Sequence, residues 1–147
     1  MSSAIVRAPV FRKAKVSVAH SDFTAAAATE TINIWTIPVD AQIMGVVCVV
    51  TETPDDTDAD LTEWSLEFGE DDGPDTNAFL ASHDYIADAP GVVESTRGVR
   101  LTTSQGMLST SATKNLTCTA TVVGVNLNDA DIDAGGWDVY ISYVQHV

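Results

Sequence analysis

Apolar residues along this chain alternate with polar ones more often than they recur at helical spacing, and that pattern predicts strands. The alternation is cleanest in "TEWSLEF" (62–68). There Trp64, Leu66 and Phe68 share one face, while Glu63, Ser65 and Glu67 share the other. "LTCTATVVGV" (116–125) repeats the scheme, setting Leu116, Cys118, Ala120 and Val122 against Thr117, Thr119 and Thr121. Further strands are predicted at "AKVSVAH" (14–20), "TINIWTI" (31–37), "IMGVVCVVT" (43–51), "RGVRLT" (97–102), "GMLST" (106–110) and "WDVYISYVQHV" (137–147). Turn chemistry separates them: "IPVDAQ" (37–42), the acidic loops "TPDDTDAD" and "GEDDGPD", and "AGG" (134–136). One segment departs from the alternation. In 76–88, Phe79, Leu80, His83 and Ile86 lie three to four apart and Asn77 is placed to cap, which predicts a short helix or structured loop near 77–87. About eight half-buried antiparallel strands make an all-β, two-sheet sandwich, and the jelly roll is one way to arrange eight.

Composition sharpens this picture in one place. At 147 residues and 45% hydrophobic the chain suits one domain, and no apolar run approaches the roughly 18–20 residues of a membrane span. Its net charge is −14, but the charge is unevenly spread. Residues 1–15 carry Arg7, Arg12, Lys13 and Lys15 and no acid, while all 21 acids follow with only three bases. The expected division is a basic N-terminal arm over 1–15 and a single β-sandwich domain over 16–147. So acidic a body repels nucleic acid and acidic membranes, so neither is an expected partner. Phe11-Arg12-Lys13-Ala14-Lys15 is charged where a secretory signal needs an apolar stretch, so a cytoplasmic origin is expected.

The arm is the candidate partner-binding element, with Arg7, Pro9, Val10, Phe11, Arg12, Lys13 and Lys15 as its contact residues. Pro9 keeps it extended. Val10 and Phe11 each offer up to roughly 1.5–3 kcal/mol of apolar burial. The four cations would meet carboxylates and set orientation. The arm is expected to lie in a groove of a neighbour, either a sister subunit or a shell beneath. The plainer alternative is a strand packed on its own body.

No catalytic signature stands out. His20, His83 and His146 are far apart, each at a strand end or in the irregular segment, and read as surface or packing residues. "SATK" (Ser111–Lys114) matches SxxK without its companion motifs. The glycines of "GEDDG" enclose carboxylates that repel phosphate, and "NLT" (115–117) has meaning only on a secretory route. Cys48 and Cys118 sit in apolar, β-rich runs and read as buried free thiols, with a disulfide between them as the alternative. The acidic stretches carry more. Asp56, Asp58 and Asp60, and again Asp129, Asp131 and Asp133, alternate so that three carboxylates point one way. Leu61 stands where an EF-hand loop needs glycine. The two readings are a solvated acidic loop and a Ca²⁺ site, the latter at a subunit contact. Trp35, Trp64, Trp137, Tyr140 and Tyr143 are expected in the core or on a subunit face. Tyr140, opposite Trp137 and Tyr143 in the alternation, is the candidate for a carbohydrate platform.

"DFTAAAATETINIWTIPVDAQIMGVVCVVTET" (22–53), with small residues, an aromatic strand, a P-x-x-A turn and a long valine-rich strand, resembles small virion proteins of tailed bacteriophages, the capsid decoration or cement proteins. "EFGEDDGPDTNAFLASHDY" (67–85) and the closing "GGWDVYISYV" are similar to that group too, so the resemblance covers roughly 16–145. It implies a β-sandwich or jelly-roll body, no enzyme activity and no cofactor. It also implies a homotrimer on the outer capsid surface, near local three-fold positions, where it binds the major capsid protein, bridges neighbouring subunits and is assembled in the host cytoplasm. The basic first fifteen residues and the extra aspartates depart from the group. A second function compatible with the same fold is a tail- or capsid-borne module that recognises host-surface glycan.

Overall fold

The structure is a computed structural model that describes residues 8–71, 75–102 and 113–146. Eight strands run in chain order: β1 Pro9–Ala19, β2 Thr29–Ile37, β3 Ala41–Asp56, β4 Glu63–Glu70, β5 Leu80–Asp84, β6 Val93–Glu94, β7 Lys114–Val123 and β8 Ile132–His146. A 3₁₀ turn, His20–Asp22, follows β1, and a single helical turn, α1 Val99–Thr102, precedes β7.

The pairing has a simple rule. β1 pairs with β8, β2 with β7, β3 with β6 and β4 with β5, all antiparallel. The chain is thus one long hairpin with its tip between β4 and β5. Wrapping that hairpin adds β3–β8 and β4–β7 contacts and gives two sheets, β1-β8-β3-β6 and β2-β7-β4-β5. This is the jelly-roll arrangement. The first sheet presents Val46, Cys48, Val50, Trp137, Val139 and Ile141 to the second, which answers with Trp64, Leu66, Phe68, Leu116, Cys118 and Ala120, all buried. The period-2 assignments for β4 and β7 hold residue by residue.

Three expectations are corrected. Residues 77–87 hold no helix; turns flank β5, whose Leu80 pairs with Phe68 across the sheet. Phe79 and Leu80 are both buried, and consecutive buried residues at a strand entry mimic helical spacing. The strand expected at 97–102 is a bridge at Arg97 followed by α1. The cause is close backbone packing. Gly98 lies against the Asn77–Ala78 backbone where a Cβ would collide, and the N–H groups of Val99 and Arg100 donate to Asn77 and Ala78 carbonyls. The strand expected at 106–110 lies outside the described residues.

The third correction concerns the arm. Pro9–Lys15 is the first part of β1, in register with β8 from Pro9 opposite His146 to Ala19 opposite Gly136. The change of charge at residue 15 therefore falls inside a strand and marks no boundary. Alternation explains it: Val10, Ala14, Val16 and Val18 continue one face, and β8 needs partners along its other edge. Arg7 lies outside the described residues.

Candidate functional site

β1 is an edge strand, and since Val18 is buried and Val10, Ala14 and Val16 are half-buried, its odd positions lie on the outer face of the first sheet. Register places Phe11 beside Val144, Lys13 beside Ser142 and Lys15 beside Tyr140. Phe11 is 78% exposed. β3 continues the same face, since Val47 pairs with Tyr140 and Val49 with both Asp138 and Val93. Met44 (45% exposed) and Val93 (56% exposed) belong to it as well. Met44 reaches it through the irregularity between Ile43 and Gly45, whose neighbours Ile43 and Val46 point inward. The charges on this face lie towards β1. Lys15 Nζ sits 3.3 Å from Asp138 and 5.9 Å from the centroid of the Tyr140 ring. Ser17 Oγ donates to Asp138 at 2.8 Å. Among the described residues, Arg12 and Lys13 have no carboxylate partner.

The outer face of the second sheet is chemically different. Thr31 and Thr119 share a hydrogen bond at 2.8 Å, Thr29 and Thr121 one at 3.3 Å, and Thr36 donates to Asn115 at 3.4 Å. Thr76 and Ser65 hydroxyls donate to Glu67 and Glu63. Thr117 and Thr119 are buried although they face away from the core, because β7 is flanked by β2 and β4.

The two aspartate stretches meet at one end of the sandwich. Thr57 donates its N–H and its hydroxyl to the carbonyl and carboxylate of Asp131. Asp56 is buried, and its Oδ2 accepts the N–H groups of Asp60 (2.9 Å) and Leu61 (2.8 Å). Those bonds hold Ala59 at φ 63°, a left-handed conformation that costs a non-glycine residue about 1 kcal/mol. Gly124 closes the other side, where a Cβ would strike the Asp60 carbonyl. Burial alone would raise the Asp56 carboxyl. Donation from Leu61, Asp58 and Asp60 outweighs it and holds the group below the usual carboxylate range. The shared hydrogen bond with Asp56, then desolvation and the charges of Asp60 and Asp131, push Asp58 up to about 6. Asp58 therefore takes up a proton at a higher pH than an ordinary aspartate. Asp129 accepts the Asp131 N–H, and Asp133 is exposed on β8. Among the described residues, no three or more His, Cys, Asp or Glu side chains gather in a metal-holding arrangement.

The remaining candidates are structural. Cys48 and Cys118 are free and buried; burial pushes Cys48 up to about 12 and Cys118 well above its ordinary value, so both stay protonated. Trp64 stacks on Trp137 at 5.6 Å, with Phe23 and Tyr85 edge-on to them, and this cluster forms one end of the core. Trp35 packs on Tyr143 at 5.1 Å. Tyr140 is 44% exposed on the outer face, with Lys15 above its ring. His20 Nδ1 lies 3.2 Å from the Gly135 carbonyl, and His146 closes β8. His83 is more than a surface or packing residue. It sits between Asp88 at 2.7 Å and Glu94 at 3.2 Å, and so joins the edge strand of one sheet to that of the other. Lys114 packs 4.0 Å from buried Glu70, while Ser111 lies outside the described residues.

Sequence reasoning missed the β3 half of the apolar outer face. Its signal was present: "VVCVV" (46–50) is a continuous apolar run, the pattern of a strand covered on both faces.

No protein-family model and no curated protein sequence matches the chain. Solved structures do match in fold, two phage capsid chains among them. A chain of the cyanophage Pam1 capsid asymmetric unit superposes with a TM-score of 0.57 at 20% identity, covering 99% of this chain and 91% of that one. A chain of the acidic stable capsid structure of Helicobacter pylori bacteriophage KHP30 superposes with a TM-score of 0.50 at 17% identity, covering 95% and 90% respectively.

Proposed function

We propose that this chain is a structural component of a bacteriophage capsid, with no catalytic step. In this reading it decorates the outer surface of the shell and stabilises it by bridging neighbouring subunits of the major capsid protein, as a homotrimer. The observation that carries the reading is a jelly roll that runs end to end along two phage capsid chains, covering 99% and 95% of this chain. The cation-bearing first strand of a −14 chain supports the bridging role. Pro9, Val10, Phe11, Arg12, Lys13 and Lys15 belong to β1, whose outer edge is free, where a shell subunit can reach them. A cement works by many copies of a modest contact, so no single interface need be strong.

The test is direct. Purified particles of the phage that encodes the chain are analysed by mass spectrometry and by cryo-electron microscopy, with and without the gene. The expected result is difference density on the outer surface of the head, three-fold in shape, and earlier release of DNA on heating when the gene is deleted. Particles that lack the chain, or that carry it only in the tail, would overturn the decoration reading.

A further inference from the structure

We infer that the outer face of the first sheet is the surface that seats on the shell, and that it recognises a protein patch with an apolar centre and an acidic rim. This rests on the capsid reading above and adds the surface and its chemistry. The argument begins with β3. A strand with one wet face should alternate, as β4 and β7 do. β3 instead carries Val46 through Val50 without a polar residue, so both of its faces are apolar. One faces the core. The other, with Phe11, Met44, Val47, Val49, Val93 and Tyr140, faces out, and an apolar surface of this kind marks a protein contact.

The rim chemistry selects the occupant. The chain has 21 acids and seven bases, so a cation with no acid beside it is unexpected. Arg100 and Lys114 have Glu70, Lys15 has Asp138, and Arg97, which has no carboxylate partner among the described residues, bridges Leu80 at the edge of the other sheet. Lys13, on the β1 margin of the apolar face, and Arg12, exposed on the other side of the same edge strand, have no carboxylate partner among the described residues. They are placed to meet carboxylates on another molecule, which gives register and partner choice. A second copy joined through this same face would match a cationic margin to itself and leave those charges unanswered. The occupant is therefore a different protein, a shell subunit.

The experiment uses phage in which a variant is the sole copy of the chain. Tyr140→Asp and Lys13→Glu probe the face, Thr31→Asp probes the opposite sheet, and circular dichroism checks folding. Copies per particle are counted by mass spectrometry, and free protein is weighed by analytical ultracentrifugation. Tyr140→Asp and Lys13→Glu should each lower occupancy about tenfold or more, a factor of ten being about 1.4 kcal/mol of contact. Thr31→Asp should leave occupancy unchanged, and all three should keep the wild-type mass in solution. Should Tyr140→Asp misfold, Tyr140→Ser takes its place. Wild-type occupancy by the face variants overturns the inference and leaves the capsid reading standing. A fall in solution mass also overturns it, because a second copy would then cover the face. Wild-type chain missing from particles defeats the capsid reading itself, so the two failures are told apart.

Discussion

On one side of this sandwich Thr31 bonds Thr119 across the strand pair; on the other, Val47 stands beside Tyr140. Both positions are outward and central, and both sheets have four strands. The second sheet spends most of its outer hydroxyls on partners within the chain, in pairs such as Thr29–Thr121 and Thr36–Asn115, although the buried Thr117 hydroxyl finds none among the described residues. The first sheet leaves Phe11, Met44 and Val93 in water and, among the described residues, Lys13 without an acid. The fold requires neither choice, since only the inner faces must be apolar. What differs is where the free energy of each face is realised: within the chain for the hydroxyl face, on contact with another molecule for the apolar one.

Charge shows the same contrast, and here the largest effect is expected. Glu70 and Arg100 lie 2.6 Å apart with side chains only 5% and 15% exposed, at the inner end of the second sheet. Arg100→Met leaves that carboxylate poorly compensated, and we expect a loss of about 3 kcal/mol in urea unfolding. A loss below about 1 kcal/mol would mean Lys114 alone suffices, as its placement 4.0 Å from Glu70 allows.

Next comes the hydroxyl ladder. Thr119→Val removes a buried hydroxyl and its 2.8 Å bond to Thr31, which should lower stability by about 1 kcal/mol. Tyr140→Ser, on the opposite face, should stay within about 0.5 kcal/mol. Equal losses at the two sites would erase the distinction between the faces. A smaller effect is expected for Lys15→Met, because Lys15 is 54% exposed and its pair with Asp138 is screened. The change should be under about 1 kcal/mol at low salt and vanish in 1 M salt.

The gentlest test is pH. Asp58, with a folded value of about 6 against the ordinary 3.8, favours the proton. Its contribution is complete below the ordinary value and is lost as pH rises through about 6. Asp56, held low, contributes above the ordinary value and loses that as pH falls through its lowered one. Stability should therefore climb as pH falls from 7 to 5 and drop again in stronger acid. Asp58→Asn, whose amide donates to Asp56 at any pH, should flatten the climb between 7 and 5. An unchanged slope in that variant would place the proton elsewhere.

How much of this was legible along the chain depended on repetition. Trp64, Leu66 and Phe68 alternate with polar neighbours over a full strand, so their burial could be read directly. β6 is two residues long and gave nothing to count. β5 was hidden because Phe79 and Leu80 are buried in succession. His83 was visible as a residue but not as a bridge, because Asp88 and Glu94 reach it only when β5 and β6 approach across the sandwich. The aspartates read as alternating ligands, yet Asp56 turns inward to hold its own loop.

The sequence by itself determined that the chain is β-rich, which positions of β4 and β7 face inward, and that positive charge gathers at its start. Those follow from local periodicity and composition, which a reader meets in order. Only the tertiary structure decided that the basic segment joins β8 as an edge strand, that 97–102 coils into a helical turn, and that strands distant in sequence close into a jelly roll. Those outcomes rest on backbone hydrogen bonds and close contacts between remote residues, and many pairings satisfy the same alternation until the whole chain chooses one.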